Sequence, residues 1–236
     1  MKSIISLLQF TTILPLGKPE DFERFARRSY LYPLAGYVIA GLVALPVFFI
    51  ENPGIAAAVS VAGLLILTGA HHFDGLLDLG DGLMAHGDRE KRVRALSDRH
   101  VGAGGVAAGI GITLLLFAGL QASSSVIYAL VIGEVCAKFS MMFLTSYGAP
   151  FRQGIHSYLH DFSRPYFPFV AFFLCLPLFL APVAPIKIFI ALIAMILCPL
   201  ILMGMAKNLF GGVNGDIVGA SNEITRACVI VALTLI

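Results

Sequence analysis

Three aspartates, Asp74, Asp78 and Asp81, close a long apolar run in the stretch "HHFDGLLDLGDGL". On a helix advancing about 100° per residue, Asp78 lies about 40° from Asp74, and Asp81 about 20° to its other side. The spacing predicts one narrow carboxylate face. Like charges so close repel unless a cation sits among them or one stays protonated. Hard oxygen ligands at helical spacing suit Mg2+, which takes a few carboxylates together with water and substrate phosphate. His71 falls on roughly the same face, and Gly75 and Gly82, each following an aspartate, leave room for a bulky substrate. An EF-hand is excluded, because its ligands alternate in a loop rather than follow a helical period.

Three other segments carry polar residues in patterns suited to ligands. In Asp98–Gly105, "DRHVGAGG" sets cationic side chains beside accessible backbone donors, an arrangement that can hold phosphate. The segment "YGAPFRQGIHSYLHDFSRP" brings Arg152, His156, His160, Asp161 and Arg164, with Arg152 between Pro150 and Gly154 as though positioned. In "LFGGVNGDIVGASNEITR", Gly211, Gly212, Gly215, Asp216 and Glu223 form a glycine-dense loop whose two acids repeat the theme of the first motif. That predicts a second ligand-binding element. The basic run from Arg89 to Arg94 reads as a helix meeting anionic headgroups.

The elements that must position these residues are membrane helices. The chain is 58% hydrophobic and 13% charged, with a mean hydropathy of +0.89, far from a soluble balance. Apolar runs predict an all-α, polytopic bundle in a single domain, residues 1–236, with about six or seven spans. They fall near Tyr30–Ile50, Gly54–Ala70, Gly102–Leu120, Ser124–Tyr147, Tyr166–Pro182, Ile186–Ala206 and Ile224–Ile236. The N-terminal "MKSIISLLQFTTILPL" lacks a small-residue cleavage site and reads as a retained helix. Charge collects in segments 1–29, 71–101, 148–165 and 207–223, which alternation puts on one face. All lysines and arginines except Lys138 and Lys187 lie at or beside these segments, and all acids except Glu51 and Glu134. The positive-inside rule makes that face cytoplasmic in the cell membrane. The acids, which contribute little to orientation, mark it as a polar site. Glu134 and Lys138, four apart inside a span, suit an intrahelical ion pair or a site. Cys136, Cys175, Cys198 and Cys228 stand in apolar runs without metal-ligand spacing and read as packing residues. A net charge of +2 gives no argument for nucleic acid, and the sequence leaves room for a homo-oligomer.

In this order the motifs resemble the cobalamin synthase family. The resemblance rests on "FTTILPL", "YPLAGYVIAG", "HHFDGLLDLGDGL" with "LSDRHVGAGG", "GAPFRQGI" and "GGVNGDIVGASNEIT". It implies a membrane transferase that joins adenosylcobinamide-GDP to α-ribazole, or to α-ribazole 5′-phosphate, and releases GMP. By resemblance, Asp74, Asp78 and Asp81 hold Mg2+ against the diphosphate, and one of them or His72 accepts the proton of the attacking hydroxyl. Arg99, His100 and Arg152 become candidates for phosphate contacts, and Gly211, Gly212, Gly215, Asp216 and Glu223 for a second Mg2+ or the nucleoside. The chain departs from the family pattern at Arg99-His100, where Ser-Arg is usual.

Two rivals fit less well. CDP-alcohol phosphotransferases share the chemistry, and "DLGDGLMAH" copies half of their motif, with His86 in place of its arginine. The second half, GxxxDxxxD, does not follow. A cation or metabolite transporter predicts acids near the midplane and on both faces, whereas here only Glu134 lies deep.

Overall fold

The computed structural model describes residues 2–235, and the architecture is all-α. Its helices are α1 (Lys2–Thr11), α2 (Phe22–Ala26), α3 (Tyr32–Val47), α4 (Pro53–Leu67), α5 (His71–Met84) and α6 (Arg89–Ala95). They continue with α7 (Ala103–Ala122), α8 (Val126–Tyr147), α9 (Ile155–Phe162), α10 (Phe167–Cys175), α11 (Pro185–Leu209) and α12 (Gly215–Ala232). Among the described residues, four segments are long and apolar enough to cross a membrane: Ser29–Val47, Ala103–Ala122, Val126–Tyr147 and Pro185–Leu209. Two bent pairs, α4 with α5 and α9 with the segment Phe167–Leu180, would raise that to six if each were one span. Phe48, Phe49, Phe169, Leu180 and Ile201 are exposed, as expected of side chains facing lipid.

Two of the expected spans take another form. The run beginning near Gly54 does not carry straight on into the aspartates. Asn52 caps α4 by accepting from the amides of Gly54 and Ile55, but the helix ends at Leu67. Gly69 (φ +61°) and Ala70 (φ +55°) then adopt left-handed conformations, and α5 departs at 94°. Such a pair breaks a helix sharply, and glycine makes the first step cheap. α5 therefore belongs with the polar elements, outside the four spans. The expected last span, near Ile224–Ile236, is instead the distal part of α12, which starts at Gly215 and carries Asp216 and Glu223 within it; Ile236 lies outside the described residues. Asn214 starts this helix early, accepting from the amide of Ile217 at 3.1 Å.

α8 and α12 form the centre. α8 packs on α3, α10 and α11, and α12 on α5, α7 and α11 as well as on α8. Glycines set several of these distances. A Cβ on Gly36 would lie 2.8 Å from Val135 Cα, one on Gly75 2.5 Å from the Asp216 carbonyl oxygen, and one on Gly80 2.7 Å from the Gly104 carbonyl oxygen. Small residues let helix backbones approach in this way where lipid offers no hydrophobic drive.

Between α8 and α12 lies a closed polar network. Lys138 Nζ meets Glu134 Oε1 at 2.7 Å, and Arg226 Nη1 meets Glu134 Oε2 at 2.8 Å. Arg226 also pairs with Glu223. Asn222 links both halves, accepting from Lys138 at 2.7 Å and donating to Glu223 at 3.0 Å. All four charged side chains are buried, and two positive charges balance two negative. Of the alternatives for Glu134 and Lys138, the pair is the one formed, extended by partners from another helix.

Removing one member of a buried pair leaves an uncompensated charge, which costs about 3–5 kcal/mol. Arg226→Met should therefore lower stability by about that amount, read from thermal unfolding in detergent by circular dichroism. A loss below about 1 kcal/mol would show that Arg226 does not neutralise the two glutamates.

Candidate functional site

α5 is amphipathic in the way its spacing predicts: Gly75, Leu76, Leu79, Gly80 and Gly82 are buried, while Asp74 is exposed and Asp78 and Asp81 are half-buried. The three aspartates do not share one task. Asp81 turns toward the start of α7, where its two oxygens accept from the amides of Gly102 (2.7 Å) and Gly105 (2.8 Å). The N-cap of α7 is Gly102, which has no capping side chain, so an aspartate from another helix caps it. This also fills the backbone donors that the sequence offered to phosphate. Asp74 and Asp78 have no side-chain hydrogen bond or ion pair among the described residues.

Asp78 lies in a field of like charge. Burial, followed by the carboxylates of Asp216, Asp74 and Asp81, pushes its pKa up to about 7, against the pull of Arg152. Asp216 arrives from α12, its backbone close against Gly75. Its Oδ2 takes a hydrogen bond from Arg152 at 3.1 Å and from Asn214 at 2.6 Å. Burial raises its pKa too, and Arg152 and Asn214 oppose that shift.

Arg152 spans two elements, donating to Ser97 beyond α6 as well as to Asp216. Its loop is fixed by a short pairing of Pro150 with Val213, in which the Val213 amide donates to Ala149 at 2.8 Å. Gly212 is required there, since a Cβ would lie 2.4 Å from the Ala149 oxygen, and Gly211 takes a left-handed turn (φ +93°). Those two glycines thus shape the loop that carries Arg152. Gly215 is the first residue of α12 and rims a cavity with Asp216.

Other expected residues lie apart. His100 bonds locally to Asp98, and its amide donates to that carboxylate at 3.0 Å and helps hold the Asp98 pKa low. Arg99 is exposed beside it. Glu223 is buried in the ion network, not in the ligand loop. Its expected role as a ligand for a second Mg2+ or the nucleoside is therefore corrected: Arg226, one turn further on, draws it inward. Sequence reasoning missed Arg226 and Asn222, though their spacing from Glu223 on one helix was the available signal. It also missed Arg92, which donates to the carbonyl of Leu83 at 2.7 Å and finishes α5.

His72 is buried. It lines a cavity of roughly 360 Å3 with His71, Tyr32, His156 and Asp216 among others. Among the described residues no three His, Cys, Asp or Glu side chains converge as a metal-binding group. Asp74 and Asp78 alone fit one Mg2+, because that ion commonly takes one or two carboxylates and fills its other positions with water and phosphate oxygens.

The family model described as Cobalamin-5-phosphate synthase matches residues 3–234. Relatives named adenosylcobinamide-GDP ribazoletransferase include one from Deinococcus radiodurans, 37% identical over 92% of this chain and 80% of its own length. Another, from Archaeoglobus fulgidus, is 32% identical over 100% of this chain and 98% of its own. A third, from Methanococcoides burtonii, is 30% identical over 96% and 89%. No solved structure matches the chain.

The split among the aspartates gives opposite signs on substitution. Asp81→Ala should cost about 1 kcal/mol, the usual worth of a lost helix cap. Asp78→Asn should leave thermal stability unchanged or raise it, because it relieves repulsion. Equal losses in the two variants, measured by thermal unfolding in detergent without divalent ions, would contradict this division.

Proposed function

This chain belongs to the cobalamin-5-phosphate synthase family, and from that premise we propose that the free carboxylates of α5 mark where it makes its product. The reaction is that of an adenosylcobinamide-GDP ribazoletransferase. It joins the activated corrinoid to α-ribazole or its 5′-phosphate and releases GMP. The observation that carries the placement is the state of Asp74 and Asp78. The neighbouring carboxylates Asp81 and Asp216 are hydrogen-bonded by protein groups, and among the described residues these two are not.

The transfer forms one phosphate–oxygen bond and breaks another, so catalysis is mostly positioning and charge neutralisation. Asp74 and Asp78 would hold Mg2+, which would supply positive charge against the departing GMP. Arg152, held between Ser97 and Asp216, supplies a fixed guanidinium on the same side of the site. Its planar fork suits phosphate oxygens. Asp81 acts through structure: by capping α7 it fixes the end of α5 that carries Asp78. His72 lines the cavity that Asp216 rims, its Nδ1 without a partner among the described residues, and is the candidate to accept the proton of the attacking hydroxyl. Arg99 and His100 are exposed on the side of α5 that Asp81 faces, where His100 lines a separate pocket with Asp81 and Asp98, and would meet only a part of the diphosphate that reached that side. The positive-inside rule, applied to the charged segments, supports a cytoplasmic position for this face.

Purified wild type given both substrates should release GMP and yield a cobamide, and chelation of Mg2+ should abolish this. Asp78→Asn should lower kcat by about 100-fold or more, the scale of a lost charge-stabilising group. Full activity in that variant would remove Asp78 from the site and leave the reaction standing. For orientation, single cysteines in Asp88→Cys and Ser123→Cys should label from opposite sides of sealed vesicles. Labelling of both from one side would overturn the assigned face.

A further inference from the structure

We propose that the cavity enclosed by α1, α3, α5, α8, α9 and α12 seats the acceptor nucleoside, its heteroaromatic base in the apolar depth and its sugar toward Asp216. This rests on the transferase reading above and goes on to assign one substrate to one place.

Three residues lining this cavity carry polar atoms without partners: Tyr32 Oη, His72 Nδ1 and His156 Nδ1. Their side chains are 0%, 6% and 3% exposed. An orphaned polar atom in a core destabilises the fold, and native proteins retain few of them. Three around one cavity describe a surface that a polar ligand completes. The His156 Nε2 donates to the Gly148 carbonyl at 2.9 Å, so its neutral ring offers Nδ1 as an acceptor. Tyr32 offers a hydroxyl donor. The remaining walls, among them Phe10, Met141, Leu159 and Val218, are apolar.

Size and chemistry select among the substrates. Roughly 360 Å3 lies near the small end of ligand pockets, which run from about 300 to 1,000 Å3. A nucleoside fits that space and a corrinoid macrocycle does not. Guanine needs neighbouring acceptors and a donor along one edge, usually from an amide or carboxylate. Here such groups are engaged. Gln9 donates to Lys18 and accepts from Glu20, both at 2.9 Å. Thr145 donates to Met141, and Arg152 and Asn214 both bond Asp216 at Oδ2, which leaves Oδ1 at the rim for the sugar. A benzimidazole-type base has an apolar edge and one free ring nitrogen, and a single donor such as Tyr32 satisfies it. The ribose hydroxyls then reach the rim that Asp216 and His72 share, beside α5.

Tyr32→Phe tests this without disturbing the fold, since no protein group bonds the hydroxyl. Its unfolding temperature should hold or rise. The KM for α-ribazole should rise about tenfold, the factor for one lost hydrogen bond, with that for adenosylcobinamide-GDP unchanged. Calorimetric binding of α-ribazole alone, without corrinoid or Mg2+, should weaken by the same factor relative to wild type. Unchanged constants for both substrates would overturn the proposal. So would a rise confined to adenosylcobinamide-GDP, which would seat the guanosine there, or an equal rise for both with a lower unfolding temperature. The underlying reading fails in a different way: folded wild type that neither releases GMP nor binds α-ribazole.

Discussion

Everything at the site hangs on the neutral quartet of Glu134, Lys138, Glu223 and Arg226. Charges in so apolar a bundle are tolerated only when paired, and here every partner comes from α8 or α12. The pairing fixes both the rotation of α12 against α8 and its height. A slip of one residue along α12 would turn Glu223 and Arg226 about 100° away from Glu134 and Lys138. With the register fixed, Asp216 stands about two turns before Glu223, at the end of α12 that meets α5. Burial of these charges need not add net stability. It gives α12 one register where an apolar seam would permit several.

From that register the position of α5 follows by close packing. Gly75 meets the Asp216 backbone and Gly219 meets that of His72, so α5 cannot shift on α12 without collision. Its other side is held against α7 by Gly80, by Gly104 and by the Asp81 cap. The right-angled break at Gly69 and Ala70 lets a polar helix lie there at all. Continued straight, α5 would carry its carboxylates along the axis of α4.

The sequence made the helical spacing of the aspartates, most of the apolar runs and the Glu134–Lys138 pair readable, because each depends on contacts within one helix. What escaped it depends on contacts between helices. Asp81 and Asp78 are alike in type and period, and only the approach of Gly102 and Gly105 separates a cap from a free carboxylate. Arg226 was read with the charged loops because it follows one closely, and no local rule reveals a partner 92 positions earlier in the chain. The turn before α5 hid for another reason: a positive φ at Ala70 is a tertiary demand on a residue that favours helix.

The same distinction bears on why the carboxylates gather where they do. Glu134 and Glu223 are answered by buried cations, Asp81 by two amides, and Asp216 by Arg152 with Asn214. Had α5 been merely a charged collar, Asp78 would sit in open solvent as Asp74 does, where a charge costs little. Asp78 instead is half-buried, and its neighbours' charges add to the penalty of burial. A protein that pairs or hydrogen-bonds the acids around it, yet leaves Asp78 half-buried among like charges with no partner among the described residues, stores a deficit of positive charge at one spot. On the reading proposed above, a cation carried in with a diphosphate would remove that deficit, and the repulsion would then favour the bound state over the free one.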